Sequence, residues 1–171
     1  MRPYDGDALR GVVYVRGMSK FADPPGFAEW EATLPSSFTR DPIWRTPAYR
    51  YGLWLAALAK KDFETLFAKP GTRNTARQLL RAVEAISANL AEGYSRSSGA
   101  ERARYYDYAL ATSREARDWY FKARVELGPE LTEQRQSVLE RIIKILSVVV
   151  PRERASDPRD RQRVRRYRRE E

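Results

Sequence analysis

Residues Gln78 to Gly93 constrain this chain more tightly than any other stretch. Leu79, Val83, Ile86 and Leu90 recur at spacings of four, three and four, with Ala76 and Ala82 beside them. A helix gathers such positions into one stripe, whereas a strand sends alternate residues to opposite faces. The stretch therefore reads as an amphipathic helix. Gly93 is expected to close it, because a glycine takes the left-handed conformation that a helix C-cap often needs. Asn89 and Glu92 lie beside the apolar positions of the last turn. They are either solvated at the helix end or bonded across to a neighbouring helix.

Three more helices follow from the same rules. Thr46 is placed to cap a helix that opens on Pro47, carries Tyr51, Trp54, Leu55 and Leu58, extends to Leu66-Phe67 and stops at Lys69-Pro70-Gly71. The opening stretch extends to a helix over 74–92. After a polar turn, Ser95 to Gly99, a third helix is predicted over 100–127, with Tyr106, Leu110, Ser113, Tyr120 and Leu127 along one side. Gly128-Pro129 ends it. Thr132 is expected to cap the fourth, whose stripe is Val138, Ile142, Ile145 and Val149, and Pro151 to end it. Long helices with short connections argue an all-α, antiparallel up-and-down four-helix bundle over residues 46–150.

Residues 1–45 read as an irregular N-terminal arm. Gly11 to Val15 has strand-like composition, Asp23-Pro24-Pro25-Gly26 is a strong breaker, and Phe27 to Trp30 suits a helical turn. The arm is expected to dock some of Trp30, Phe38, Ile43 and Trp44 onto the bundle. Met18 is an alternative start. Residues 151–171 form a basic C-terminal tail with nine arginines, densest at Arg163, Arg165, Arg166, Arg168 and Arg169. Its few apolar groups cannot build a core, so it is expected to be disordered, or a frayed helix extension, when free.

The residues Gln78-Leu79, Arg81-Ala82, Ile86 and Asn89-Leu90-Ala91-Glu92-Gly93 also carry a resemblance, which continues through Arg96, Ser98, Glu101, Tyr105-Tyr106, Ala109, Ala111-Thr112 and Glu115. The pattern resembles that of the ribosomal-RNA intervening-sequence protein family, also called the four-helix bundle protein family, from about Tyr49 to Val150. Ser87 stands where that family usually has proline, and Ala111-Thr112 where it usually has Gly-Ser. The resemblance implies a ring-like homopentamer. It also brings in the accessory proteins of diversity-generating retroelements, which serve a reverse transcriptase.

Composition narrows the function. The chain has 171 residues, no cysteine and no histidine, which removes disulfides, thiol chemistry and histidine-based acid–base catalysis. Its apolar runs are far shorter than a membrane span and no secretory signal opens it, so a cytoplasmic protein is expected. The net charge of +9 divides into 0 for residues 1–45, +5 for 46–150 and +4 for 151–171. An excess held by the core and the tail favours a polyanionic partner.

No catalytic set emerges. Glu115 and Asp118, flanked by Arg114 and Arg117, read as a salt-bridged helix face. Ser97-Ser98 lacks a histidine, and Lys69-Pro70-Gly71-Thr72 lacks phosphate-loop spacing. The expectation is no enzyme, no metal and no cofactor. Asn89, Glu92, Arg96, Glu101 and Arg104 form the more interesting group. It either locks the turn between the second and third helices, joins two protomers, or reaches a ligand through Arg96. Tyr105, Tyr106, Tyr108, Trp119, Tyr120 and Phe121 run around the third helix, more aromatics than one core can bury. Tyr105, Trp119 and Tyr120, with Asn89, Glu92 and Glu115, are therefore candidates for structural or interface roles. Arg96, Arg102, Arg104 and the tail arginines are the candidate nucleic-acid contacts. Two functions remain open: a self-associating scaffold that binds RNA, DNA or a nucleic-acid enzyme such as a reverse transcriptase, and a protein-interaction scaffold with no nucleic-acid role.

Overall fold

Phe27, the first residue of the first helix, has its side chain fully buried, its ring edge-on to Tyr51 and Trp54 at 5.1 and 5.5 Å. The computed structural model describes residues 23–156. The strand-like run at Gly11, the alternative start at Met18 and the arginines Arg163, Arg165, Arg166, Arg168 and Arg169 lie outside them. Within the described residues the chain is all-helical. Two short helices, α1 (Phe27–Ala32) and α2 (Ser36–Thr39), and a 3-10 turn (Pro42–Arg45) precede the long ones. These are α3 (Pro47–Phe67), α4 (Arg73–Tyr94), α5 (Gly99–Lys122) and α7 (Pro129–Ser156), with one turn, α6 (Arg124–Leu127), between the last two.

The apolar stripes meet as their spacing requires. α3 packs against α4 and α7, and α5 packs against the same two helices. Leu55, Leu66, Leu79, Val83, Ile86, Leu90, Tyr120, Leu139, Ile142 and Leu146 are essentially excluded from solvent between them. The arm docks Ile43 fully and Trp30 and Trp44 in part, while Phe38 stays 42% exposed with its ring against Trp44.

Several helix ends differ from the sequence expectation. Thr46 precedes α3, but its hydroxyl caps nothing and is buried without a hydrogen-bond partner. The 3-10 turn before it ties the Thr46 N–H to the Ile43 carbonyl and sets how the chain enters the helix. Thr132 is not a cap either. α7 begins at Pro129, and the Thr132 hydroxyl donates back to the Gly128 carbonyl at 2.8 Å. Pro151 does not end α7, which runs on to Ser156 because Glu153 is ion-paired to Arg102 and Arg154 to Asp107 on α5. The third helix breaks at Ala123 into α5 and α6, and Gly128, at φ 84°, turns the chain into α7.

Gly93 is the most instructive difference. It lies inside α4, in ordinary helical conformation, and is buried against α5. A Cβ there would lie 2.7 and 2.8 Å from the Tyr106 ring and 2.9 Å from the Tyr105 Cβ. The glycine is needed for close helix approach, not for a left-handed cap.

Candidate functional site

The α4–α5 connection begins where Gly93 lets α5 come close. Ser98 caps α5, its hydroxyl oxygen accepting from the Glu101 N–H at 3.2 Å while its O–H donates to the Glu101 carboxylate at 3.0 Å. Glu101 is thus a capping residue. Arg102, one turn into α5, points back under the connection. Its guanidinium donates to the carbonyls of Arg96 and Ser97 at 3.1 and 3.0 Å and to the Glu153 carboxylate at 2.8 Å. Glu153 is 1% exposed. Arg102, a candidate phosphate contact, commits its Nε and Nη1 donors to the turn and to a buried carboxylate and so clasps α5 to α7.

Arg96 and Arg104 face outward. The Arg96 guanidinium lies 5.0 Å from the Tyr105 ring centre, donates to the Tyr105 hydroxyl at 3.3 Å and pairs with Glu92 one turn back. That pairing answers the unfavourable placement of a carboxylate near a helix C-terminus. Arg104 lies 5.7 Å from the Tyr108 ring centre and donates to its hydroxyl at 2.9 Å; this bond favours the charged guanidinium and pushes its pKa up. Tyr105 and Tyr108 meet edge-on at 5.9 Å. Asn89, half-buried one turn before Gly93, has no side-chain hydrogen bond among the described residues, so within one chain it does not bond across to another helix.

Further along α5 the pattern repeats. Trp119 donates its indole N–H to Glu115 at 3.3 Å, and the Lys122 ammonium sits 4.2 Å from its ring centre. Tyr105, Tyr108, Thr112, Glu115, Trp119 and Lys122 step by three and four residues and share one side of the helix. Phe121, 56% exposed, lies on another side under Arg124. Tyr120 is different: it is fully buried and donates to Asp62 on α3 at 2.8 Å, so its role is structural.

Charged residues that sequence reasoning missed lie in the interior. Arg135 on α7 clasps Asp62, and Glu153 receives Arg102. Each interrupts or extends an apolar stripe at helical spacing, and that misplaced polarity was the available signal. A cleft of about 410 Å³ opens between Pro24–Gly26, Trp54, Leu58 and Val138, with Arg135 on its wall already engaged by Asp62. Among the described residues no group of three acidic side chains gathers as a metal site, and no helix is long and apolar enough to cross a membrane.

Against known families, the profile of the 23S rRNA-intervening sequence protein matches residues 56–148, from the middle of α3 almost to the end of α7. The chain belongs to the 23S rRNA-intervening sequence protein family. A solved structure of a protein of unknown function from the S23 ribosomal protein family of Bacteroides thetaiotaomicron shares the fold with a TM-score of 0.56 and 22% identity, covering 60% of this chain and 97% of that one. No curated protein matches. The family match takes in Asn89, Glu92, Gly93, Arg96, Arg104, Tyr105 and Trp119, so the α4–α5 surface lies within the part of the chain that defines membership.

Proposed function

We propose that this intervening-sequence family protein is a non-enzymatic, self-associating scaffold that engages nucleic acid, or a nucleic-acid enzyme such as a reverse transcriptase, in the cytoplasm. In this reading α3, α4, α5 and α7 form an antiparallel up-and-down four-helix bundle, and copies assemble as the homopentamer that the family resemblance implies. The observation that carries it is the side of α5 on which Arg96, Arg104 and Lys122 lie over Tyr105, Tyr108 and Trp119. Aromatics left over from the core favour a second buried surface, and the planar arginine fork suits phosphate oxygens. The family's name, with its ribosomal RNA, and the +9 charge favour the same class of partner. The tail arginines Arg163, Arg165, Arg166, Arg168 and Arg169 add a salt-sensitive contact. The retroelement connection enters only through the resemblance.

The test is the absolute mass in solution of the full chain and of a 1–156 truncation, each with and without a mixed RNA pool. A discrete oligomer that takes up RNA, and less of it without the tail, is the expected result. An oligomer indifferent to RNA would replace this reading with a protein-partner scaffold. A monomer would remove self-association.

A further inference from the structure

We infer that Arg73, Arg77 and Arg81, on the outward face of α4, form a separate track for the phosphate backbone of single-stranded RNA. The inference rests on the nucleic-acid reading above but on none of its residues. All three side chains are exposed, and they follow one another at four-residue intervals. Four helical residues rise about 6 Å, so the guanidinium groups start from a nearly straight line about 12 Å long. That step is comparable to the separation of successive phosphates along one strand.

Two of the three guanidinium groups are braced, and none is neutralised. Those of Arg73 and Arg77 lie 5.4 and 5.0 Å from the centre of the Phe67 ring, which is itself stacked on Phe63 at 4.9 Å. The Arg73 Nε–H also donates to the Phe67 carbonyl at 3.2 Å. Among the described residues none of the three pairs with a carboxylate.

The arrangement works against the helix that carries it. Like charges four residues apart repel, and cations near a helix N-terminus oppose its dipole. No acidic residue occupies the first turn of α4 to offset them. Elsewhere the chain makes the opposite choice: Glu92–Arg96, Asp118–Lys122 and Glu140–Lys144 are all attractive pairs at this spacing. A row of phosphates would answer all three charges at once, and the planar arginine fork suits phosphate oxygens.

The test measures binding of a labelled, unstructured polyuridine strand to the full-length protein over a range of salt concentrations. Each phosphate contact on a single strand contributes about 0.7 to the slope of log affinity against log salt. R73Q/R77Q/R81Q is expected to lower that slope by about 2 and weaken binding at least about tenfold at low salt. R73K/R77K/R81K should keep the slope, as should the charge-matched control R40Q/R114Q/K144Q. Should the triple glutamine variant fold poorly, Arg81→Gln alone, which removes no ring contact, should lower the slope by about 0.7. Glutamine variants that keep the wild-type slope overturn this inference and leave RNA binding to another surface. A wild-type protein that does not bind the strand also overturns this inference, while the nucleic-acid reading stands or falls on the mixed-RNA mass measurement.

Discussion

Arg135 on α7 holds both carboxylate oxygens of Asp62 on α3, its Nε–H at 2.8 Å from one and its Nη2–H at 3.1 Å from the other, where neither side chain is more than 9% exposed. Tyr120 on α5 donates to the same carboxylate at 2.8 Å. Three helices thus meet on one aspartate inside the core. Desolvation cancels much of the attraction in such a group, so it adds little net stability over an apolar equivalent. Its stronger effect is on breakage, because removing one partner leaves the other charge buried and unanswered.

Asp62→Ala should therefore cost about 3–5 kcal/mol in urea unfolding. Replacing the whole group with apolar residues, as Asp62→Leu, Arg135→Met and Tyr120→Phe together, should recover most of that loss. A triple variant as unstable as the single one would mean that the ionic group itself, not the unpaired remainder, sustains this end of the molecule.

Gly93 gives a prediction whose sign depends on its role. At an exposed mid-helix site, replacing glycine by alanine gains roughly 1 kcal/mol. Here the added Cβ would meet the Tyr106 ring and the Tyr105 Cβ at less than 3.0 Å. Overpacking of this kind typically costs about 1–3 kcal/mol. Gly93→Ala should thus lower the unfolding midpoint, and it should also shift Tyr105 beneath Arg96. A midpoint at or above wild type would show that α5 can retreat freely.

What could be read from the sequence follows from which signals are local. The stripes of Leu79–Leu90 and Val138–Val149 are periodic within one element, so helix and core were legible, and so was the family from the Asn89 to Gly93 run. Thr46 and Thr132 lose the expected cap role to the turns beside them, whereas Gly93 and Pro151 answer to contacts with α5. Beyond Pro151, Glu153 and Arg154 find partners on α5. Asp62 and Arg135 lie 73 residues apart, and nothing in either neighbourhood announces the other. Arg102 looked like its neighbours Arg96 and Arg104; only the burial of Glu153 separates them.

Buried phenols make the fold sensitive to alkali. Burial, then a hydrogen bond to Asp23, pushes Tyr51 up to about 12. Burial also raises Tyr106, with Glu153 adding to it, and raises Tyr120, with Asp62 adding to it. In the unfolded chain all three ionise near 10. Above that pH the folded state holds more protons, so stability falls as pH rises; below it, their contribution is complete. The urea midpoint should be flat from about pH 8 to 9.5 and then decline, for Tyr51 through about pH 12. Tyr51→Phe should make that decline shallower, and an unchanged slope would assign the alkaline loss to other groups.

The end of α7 separates two truncations that differ by five residues. A chain stopped after Ser156 keeps Glu153 and Arg154 on α5, whereas one stopped after Pro151 loses both. The shorter chain leaves Arg102, whose side chain is only 16% exposed, without its carboxylate, although the Arg96 and Ser97 carbonyls still accept from it. An unpaired, largely desolvated cation of this kind should cost about 1–3 kcal/mol. It should also loosen the connection that carries Arg96. The 1–156 chain should unfold at the full-length midpoint and the 1–151 chain below it, with Glu153→Gln in the full chain falling between. If 1–151 and 1–156 unfold alike, the Arg102 clasp does not hold α7 to α5.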